Sequence, residues 1–212
     1  MSLLSNTEVV CPACGKSRPV ALVRSINTQT DSSQKAALLR GELNMLACEC
    51  GKRTPLAADL LFHDPSRAYF CQVCVGDADA ITRVKLAFEE SGVAGTRRIV
   101  RSINALVEKV KLLEAGLEDW AVEMVKVLLL TTLEEPTLDE VLLFDGLDRQ
   151  KGTLTWVLFR PPKSEPRFLE SPLGPYDRGL PQWRAVAPAS GQVEIDRVWA
   201  LSALRKVMPL PS

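Results

Sequence analysis

The sequence predicts an α+β protein with a β-rich N-terminal unit, a central helical segment and a C-terminal β-hairpin followed by a helix. Two cysteine knuckles between short apolar runs predict the first unit. A long stripe of apolar residues at alternating steps of four and three predicts the helices. Two β-rich runs joined by a polar turn predict the hairpin. We therefore divide the chain into residues 1–76, 77–133 and 134–212.

In the first segment, short apolar runs predict strands on both sides of each knuckle. Residues 9–10 and 20–23 flank the first knuckle, and residues 43–47 lead into the second. Residues 25–33 are polar and predict a loop, and residues 34–41 predict a helix that Asp31 or Ser32 caps and Gly41 ends. Residues 56–62 and 69–75 predict two more strands, separated by a turn at residues 63–66.

The middle segment is predicted to be helical. Residues 79–90 form one candidate helix that ends at Ser91 and Gly92. The apolar stripe that follows predicts one helix, or two helices broken near Gly116, with Glu118 and Asp119 in the acid-rich first turn of the second. A 4–3 repeat also suits a coiled coil, but this stripe is wide enough to favour packing within its own domain. Its members are Ile99, Ile103, Leu106, Val110, Leu113, Leu117, Trp120, Met124 and Val127.

The last segment begins with the predicted hairpin, residues 140–144 and 153–160. Residues 161–188 are rich in proline and predict a loop or extended linker. Residues 193–195 predict a short strand. Asp196 is placed to cap a final helix over residues 197–207.

Composition excludes several classes of protein. Hydrophobic residues make up 46% of the 212 residues, and 26 basic residues balance 26 acidic ones, so the net charge is zero. A strongly charged nucleic-acid or membrane surface is therefore not indicated. The longest apolar run, residues 125–130, is too short to span a bilayer, and the first residues lack the pattern of a signal peptide. We expect a cytoplasmic protein, in which six cysteines serve as metal ligands or buried thiols.

The cysteine knuckles carry the clearest chemistry. Cys11 and Cys14 form one C-x-x-C pair, and Cys48 and Cys50 form a shorter C-x-C pair; each is followed by glycine. Four thiolates on two sharp turns suit one tetrahedral zinc ion with no open coordination position, which is a structural site. The first unit is therefore expected to resemble a zinc ribbon. A redox C-x-x-C pair, unligated core thiols and an iron–sulfur cluster remain alternatives.

The remaining candidate residues are weaker. Cys71 and Cys74 lie in a predicted strand, where they point to opposite faces, so buried thiols are favoured over a second metal site or a disulfide. His63 is the only histidine, and a turn-capping or structural role is favoured over ligation or catalysis. We identify no catalytic residue, because no nucleophile elbow, phosphate-binding loop or dinucleotide-binding motif is present.

Four stretches of the first 65 residues resemble the CpXC-domain family of bacteria and archaea, which is named for paired C-P-x-C knuckles. The resemblance extends with less specificity to about residue 130 through NALVEKVKLLEAGLED. It implies that the cysteines at 11, 14, 48 and 50 are the four knuckle cysteines of the family, although the second knuckle lacks the proline and one position. It implies no reaction. The four stretches are VVCPACG, RSINTQTD, KAALLRGELNMLACECG and LLFHDP.

Three functions are compatible with these observations. The first is a non-catalytic, zinc-stabilised module that binds protein partners or a second copy of itself. The second is nucleic-acid binding through basic residues near the knuckles, although aromatic residues are scarce. The third is a thiol redox sensor that uses the knuckles or the Cys71–Cys74 pair. The basic residues of the second reading are Lys16, Arg18, Arg24, Lys52 and Arg53, with Arg97, Arg98 and Arg101 at the start of the long helix.

Overall fold

A computed structural model describes residues 3–133, 139–160 and 165–208. The fold is α+β, as predicted. Contacts group the chain into two compact units, residues 1–107 and 108–212. The finer division into three segments stays a prediction.

Unit 1 contains eight strands and two helices among its described residues. Three sheets form: an antiparallel β1–β2 hairpin, an antiparallel β4–β5 hairpin and a four-stranded sheet in the order β3-β6-β7-β8. The elements are β1 (Leu4–Val10), β2 (Ser17–Val23), β3 (Ser25–Asn27), α1 (Ser32–Leu39), β4 (Met45–Ala47), β5 (Arg53–Pro55), β6 (Leu60–Asp64), β7 (Tyr69–Val73), α2 (Ala78–Glu90) and β8 (Thr96–Val100).

The four-stranded sheet explains where the second knuckle lies. β3 pairs in parallel with β6, and β7 pairs in parallel with β8. Parallel neighbours need a long crossover connection. The connection from β3 to β6 contains α1 and the β4–β5 hairpin, so the second knuckle is carried by this crossover. One face of the sheet is buried and contributes Ile26, Phe62 and Cys71 to the core of the unit.

Two sequence predictions in unit 1 are wrong. The loop expected over residues 25–33 begins with β3, whose Ile26 is buried opposite Phe62 of β6. The turn expected from His63 begins two residues later, because β6 continues through Asp64 to a 3₁₀ turn, Pro65–Arg67. The Asp64 carboxylate accepts a hydrogen bond from the Ser66 N–H at 3.1 Å, so Asp64 caps this turn.

The helical stripe is divided differently from the prediction. Ile99 lies in β8, as do Arg97 and Arg98, so none of them belongs to a helix. The stripe becomes helical in α3 (Ile103–Ala115), which spans the boundary between the units, and continues in α4 (Asp119–Leu130). The predicted break is confirmed at Gly116, whose φ of 68° is readily adopted by glycine.

Unit 2 is built on α4, which is buried over most of its length. Its apolar face packs into the core of its own unit, as the width of the stripe indicates, rather than into a coiled-coil seam. A three-stranded antiparallel sheet in the order β11-β10-β9 supplies the rest of this core together with two further helices. The elements are β9 (Val141–Asp148), β10 (Thr153–Phe159), β11 (Arg167–Pro172), α5 (Gly174–Trp183) and α6 (Arg197–Val207).

The predicted hairpin and final helix of unit 2 are confirmed, but the proline-rich region is not a loop. Residues 165–188 contain β11, α5 and a 3₁₀ turn, and residues 161–164 lie outside the described part of the chain. Pro175 is accommodated in the first turn of α5, where a backbone N–H is not needed. Residues 193–195 form no strand, although Val193 and Ile195 are buried.

Within the described part of the chain, none of the helices combines the length and the apolar composition that crossing a membrane requires.

The cap of α6 provides a test of unit 2. The Asp196 carboxylate accepts a hydrogen bond from the Trp199 N–H at 2.9 Å. Asp196→Ala is expected to lower the free energy of unfolding by about 1 kcal/mol. Urea unfolding followed by tryptophan fluorescence measures this, because all four tryptophans lie in unit 2: Trp120, Trp156, Trp183 and Trp199.

The matched control for this test is Ser202→Ala, which removes an exposed hydroxyl group from the same helix and should change stability by less than about 0.5 kcal/mol. Equal stability of Asp196→Ala and the wild type would show that the cap does not stabilise α6.

Candidate metal centre

The first knuckle is the turn that joins β1 to β2. The Cys11 N–H donates to the Lys16 carbonyl at 2.9 Å, and the Gly15 N–H donates to the Cys11 carbonyl at 2.9 Å. Gly15 has a φ of 72°, a backbone conformation that residues other than glycine adopt only rarely. These two hydrogen bonds fold residues 11–15 into a tight loop that brings the Cys11 and Cys14 sulfur atoms to one side.

The second knuckle repeats this arrangement with one residue fewer. It joins β4 to β5, the Cys48 N–H donates to the Lys52 carbonyl at 3.0 Å, and the Gly51 N–H donates to the Cys48 carbonyl at 2.9 Å. Gly51 has a φ of 84°. The C-x-C pair therefore retains the closing hydrogen bonds of a longer knuckle, and its two sulfur atoms face the first pair.

The four sulfur atoms form one compact group. The Cys11 and Cys50 sulfurs are 3.8 Å apart, and those of Cys14 and Cys48 are 3.6 Å apart. All four lie within 4.8 Å of one another. A tetrahedral ion with bonds of about 2.3 Å to sulfur has edges of about 3.8 Å. This spacing fits a single metal ion at the centre of the group. The four sulfur atoms belong to the four cysteines that the sequence predicted as ligands.

The group is half enclosed. Cys11 and Cys48 are buried, at 1% and 8% exposure, whereas Cys14 and Cys50 are exposed. The apolar cluster beside the sulfur atoms is small: its fully buried aliphatic member is Leu46, and three half-buried side chains surround it. These are Val9, Val20 and Leu56.

Backbone N–H groups point at three of the sulfur atoms. Hydrogen bonds from the Ala13 and Cys14 amides lower the pKa of Cys11. A hydrogen bond from the Cys50 amide lowers the pKa of Cys48 to about 6. The Lys52 amide also lowers the pKa of Cys50, but the neighbouring sulfurs, led by Cys48, outweigh it and raise that pKa to about 11. Without a cation among them, the neighbouring sulfurs therefore oppose ionisation of the Cys50 thiol.

Arg18 links the two hairpins beside this group. Its guanidinium, on β2, pairs with the Glu49 carboxylate in the middle of the second knuckle. This hydrogen bond raises the pKa of Arg18, and a further hydrogen bond to the Cys48 sulfur adds to it. Sequence reasoning assigned Arg18 only to a basic cluster. Glu49, the acidic residue between the two cysteines of the C-x-C pair, is the sequence feature that could have predicted this ion pair.

The weaker candidates lie apart from the four-sulfur group. Cys71 and Cys74 are buried, at 0% and 1% exposure, as predicted for core thiols, and neither is in a disulfide. His63 lies in β6 with its ring stacked on Phe70 at a centroid distance of 4.1 Å, so it does not cap a turn. Among the described residues, the four knuckle cysteines are the group of His, Cys, Asp and Glu side chains close enough to hold a metal ion.

Comparison with known proteins agrees with this geometry. A sequence model of the CpXC protein family matches residues 9–126, which are 118 of the 212 residues and include both knuckles. Neither a curated protein nor a solved structure shows a significant match. The match over more than half of the chain shows that this protein belongs to the CpXC family.

Proposed function

We propose that the chain binds one zinc ion through Cys11, Cys14, Cys48 and Cys50, and that this ion is structural. The spacing of the four sulfur atoms carries the proposal, because two cross-knuckle distances of 3.6 and 3.8 Å match the edge of a zinc tetrathiolate. Thiolate ligands favour zinc, whereas magnesium and calcium are bound by oxygen ligands. Four protein ligands leave no position for a reactive water, so the site suits a non-catalytic role.

A structural ion is supported by the small core around it. Each hairpin is two-stranded, and isolated two-stranded hairpins are marginally stable in water. Leu46 and its half-buried neighbours remove little apolar surface from solvent. Four metal–sulfur bonds would tie the β1–β2 hairpin to the β4–β5 hairpin across 33 intervening residues between Cys14 and Cys48. The free energy of metal binding would therefore supply much of the stability of this region.

Charge around the sulfur atoms also favours a zinc tetrathiolate. One divalent ion and four thiolates carry a net charge of −2. The Ala13, Cys14 and Cys50 amides and the Arg18 guanidinium are placed to offset that charge. Hydrogen bonds from outer groups of this kind orient metal ligands and tune affinity.

For the role of the whole protein, we propose binding to protein partners or to a second copy of the chain. The apolar helical stripe does not support this function, because the α4 part of the stripe, with Trp120, Met124 and Val127, is buried in the core of unit 2. Support comes instead from the zero net charge and from apolar side chains left exposed on and beside β1. Leu3, Leu4 and Val10 are 64%, 57% and 63% exposed. The thiolate site needs reducing conditions, so the proposed compartment is the cytoplasm.

Nucleic-acid binding is the first alternative, and the structure weakens its support. Arg18 is paired with Glu49, and Arg24 donates to the Ser5 hydroxyl at 2.8 Å. Arg98 is buried in β8. The exposed basic residues near the knuckles are Lys16, Lys52 and Arg53.

A thiol redox sensor is the second alternative, and one observation favours it. Cys14 and Cys50 are exposed, one from each knuckle, so an oxidant has access to the sulfur cluster. Cys71 and Cys74 are enclosed and do not offer such access. This function would appear as loss of zinc at micromolar peroxide, accompanied by disulfide formation.

The metal site is tested by elemental analysis of purified, reduced protein. We expect one zinc ion per chain in the wild type and its loss in Cys48→Ser and Cys50→Ser, because three thiolates and a hydroxyl hold zinc much more weakly. Cys71→Ser is the matched control and should retain the metal, since Cys71 lies in the core of β7. Equal loss of zinc in all three variants, or absence of zinc from the wild type, would contradict the assignment.

The role of Arg18 is tested by the rate at which a chelator removes the metal. Arg18→Met removes the hydrogen bonds to Glu49 and Cys48 but keeps the aliphatic stem, so zinc should be lost several-fold faster. Arg53→Met, an exposed residue of β5, controls for removal of a positive charge near the site. Identical rates for the two variants would show that Arg18 contributes only general electrostatics.

Protein binding and nucleic-acid binding are separated by salt dependence. We expect no retention of generic double-stranded or single-stranded nucleic acid even at low salt, because few unpaired cations remain near the knuckles. Gel-shift and filter-binding experiments measure this. Nucleic acid that is retained, but less so at higher salt and not by the Lys16→Gln, Lys52→Gln double variant, would contradict the proposed protein-binding function. That result would support nucleic-acid binding instead.

A further inference from the structure

The β1–β2 hairpin has two outer edges, and the hydrogen bonds at its two ends show which backbone groups lie on each edge. The Cys11 N–H donates to the Lys16 carbonyl at 2.9 Å, and the Arg24 N–H donates to the Leu3 carbonyl at 2.7 Å. Hydrogen-bonded and non-bonded pairs alternate along an antiparallel ladder, so the odd-numbered residues of β1 bond to β2. The even-numbered residues of β1 therefore direct their N–H and C=O groups away from the hairpin. These residues are Leu4, Asn6, Glu8 and Val10.

The outer edge of β2 is closed. The buried Asn44 side chain bonds to both backbone groups of Val23, accepting from its N–H at 2.8 Å and donating to its carbonyl at 3.1 Å. Pro19, in the middle of β2, lies opposite Glu8 and has no N–H to offer to another strand. Proline and covered backbone groups are devices that keep an edge strand from pairing with other chains. β2 is therefore unsuited to accept a further strand.

The outer edge of β1 lacks these devices. Within the described part of the chain, β2 is the only strand that pairs with β1. Its four outward-facing residues are all exposed, and the first and last of them, Leu4 and Val10, are apolar. Glu8 is the one charged side chain of β1, and its carboxylate accepts a hydrogen bond from the Ser17 hydroxyl at 2.6 Å. An exposed edge of seven residues with apolar ends is a template for the addition of another strand.

We propose that β1 is a docking strand for a second copy of the chain, and that two β1 strands pair antiparallel across a two-fold axis at Thr7. The inference rests on the self-association named in the proposed function and says which surface forms it. The two hairpins would join into one sheet in the order β2-β1-β1-β2, with the closed β2 edges outermost. A two-fold interface of this kind closes on itself, so that assembly stops at the dimer.

The sequence of β1 is complementary to itself in this register. Leu4 lies opposite Val10 of the second copy, and Asn6 lies opposite Glu8 of the second copy. Both pairs consist of outward-facing residues, so each pair exchanges two N–H···O hydrogen bonds. Leu4 meets an apolar side chain, and the Asn6 amide is placed to donate to the Glu8 carboxylate. Such cross-strand pairs stabilise antiparallel sheets, and a second copy supplies the matching strand.

Neighbouring registers are less favourable. With the axis at Glu8, two carboxylates would lie directly opposite each other, which destabilises a strand pair. With the axis at Asn6, Leu4 would lie opposite the Glu8 carboxylate and would lose its contact with Val10. A shift by one residue would oppose backbone groups that already bond to β2. The pattern of side chains therefore favours the register centred on Thr7.

The experiment is sedimentation equilibrium of the full, zinc-loaded chain in reducing buffer, from about 1 μM to about 1 mM protein. We expect the wild type to show a monomer–dimer equilibrium. Asn6→Pro removes an outward N–H and leaves the hydrogen bonds between β1 and β2 in place. Each dimer would lose two hydrogen bonds, so its Kd should rise about tenfold or more.

The matched control for Asn6→Pro is Ala21→Pro. Ala21 lies opposite Asn6 in the hairpin and directs its N–H toward the other edge, so this variant should leave the Kd of the dimer unchanged. Zinc content of both variants checks that the hairpin still presents its cysteines.

A charge exchange tests the register, and it also serves if Asn6→Pro does not fold. Asn6→Glu places a second carboxylate opposite Glu8 of the other copy, so the dimer should weaken several-fold at low salt. Adding Glu8→Lys to that variant restores opposite charges across the same pair, and the dimer should recover. Both positions are exposed, which makes these substitutions tolerable for the folded chain.

Three results would overturn the inference. A wild type that stays monomeric up to about 1 mM would reject it, and other proteins would remain as the partners in the proposed function. A dimer that Asn6→Pro and Ala21→Pro affect equally would show self-association through another surface, so the proposed function would stand without the β1 edge. A dimer that Glu8→Lys does not restore in the Asn6→Glu background would exclude the register centred on Thr7.

Discussion

The arrangement of the two knuckle hairpins depends on what holds four sulfur atoms within 4.8 Å of one another. Four thiolates at this spacing would repel one another. The Lys52 amide lowers the pKa of Cys50, but hydrogen bonding to the Cys48 sulfur and burial outweigh it and raise that pKa to about 11. The apolar cluster beside them is too small to compensate, since Leu46 is its one fully buried aliphatic side chain. A cation at the centre would turn the repulsion into attraction, and the amides and Arg18 already face the sulfur atoms as such a centre requires.

Unit 2 is stabilised in a different way, mainly by its apolar core. Its core is large and apolar, and it includes Trp156, Leu154 and Met124 with no significant exposure. Even so, α3 meets this core through Glu108 and Lys109 as well as through Leu112. Apolar side chains at those positions would stabilise packing equally well, but they would leave the Phe144 N–H at the sheet edge without the Glu108 oxygen that accepts its hydrogen bond. The ionic contact is therefore explained by the exposed edge of β9 more than by the core.

Local signals predicted the parts of the fold that local physics determines. The knuckles, the break at Gly116 and the capped helix α6 depend on residues close together in sequence, and each was predicted. The strand β3 has only three residues and exists because it pairs with β6, which lies about 35 residues farther along the chain. Ile99 fits the helical stripe by spacing, but its pairing opposite Gln72 of β7 places it in a strand. The proline-rich region was predicted to be a loop because of its many prolines, one of which, Pro181, lies inside α5, where proline is ordinarily disfavoured.

The same distinction separates the two charged sites. The grouping of the four cysteines was predictable from their spacing in two knuckles, whereas the pairing of Arg18 with Glu49 depends on how β2 lies beside the second knuckle. The buried ion pair between Glu123 and Lys126 in unit 2 gave no signal at all, because two such residues at a spacing of three resemble an ordinary surface pair on a helix. Burial changes the electrostatic energy of such a pair. On the surface, water would screen both charges, but inside the core each charge needs an oppositely charged partner. Zinc is the cation that we propose to offset the charge of the thiolates.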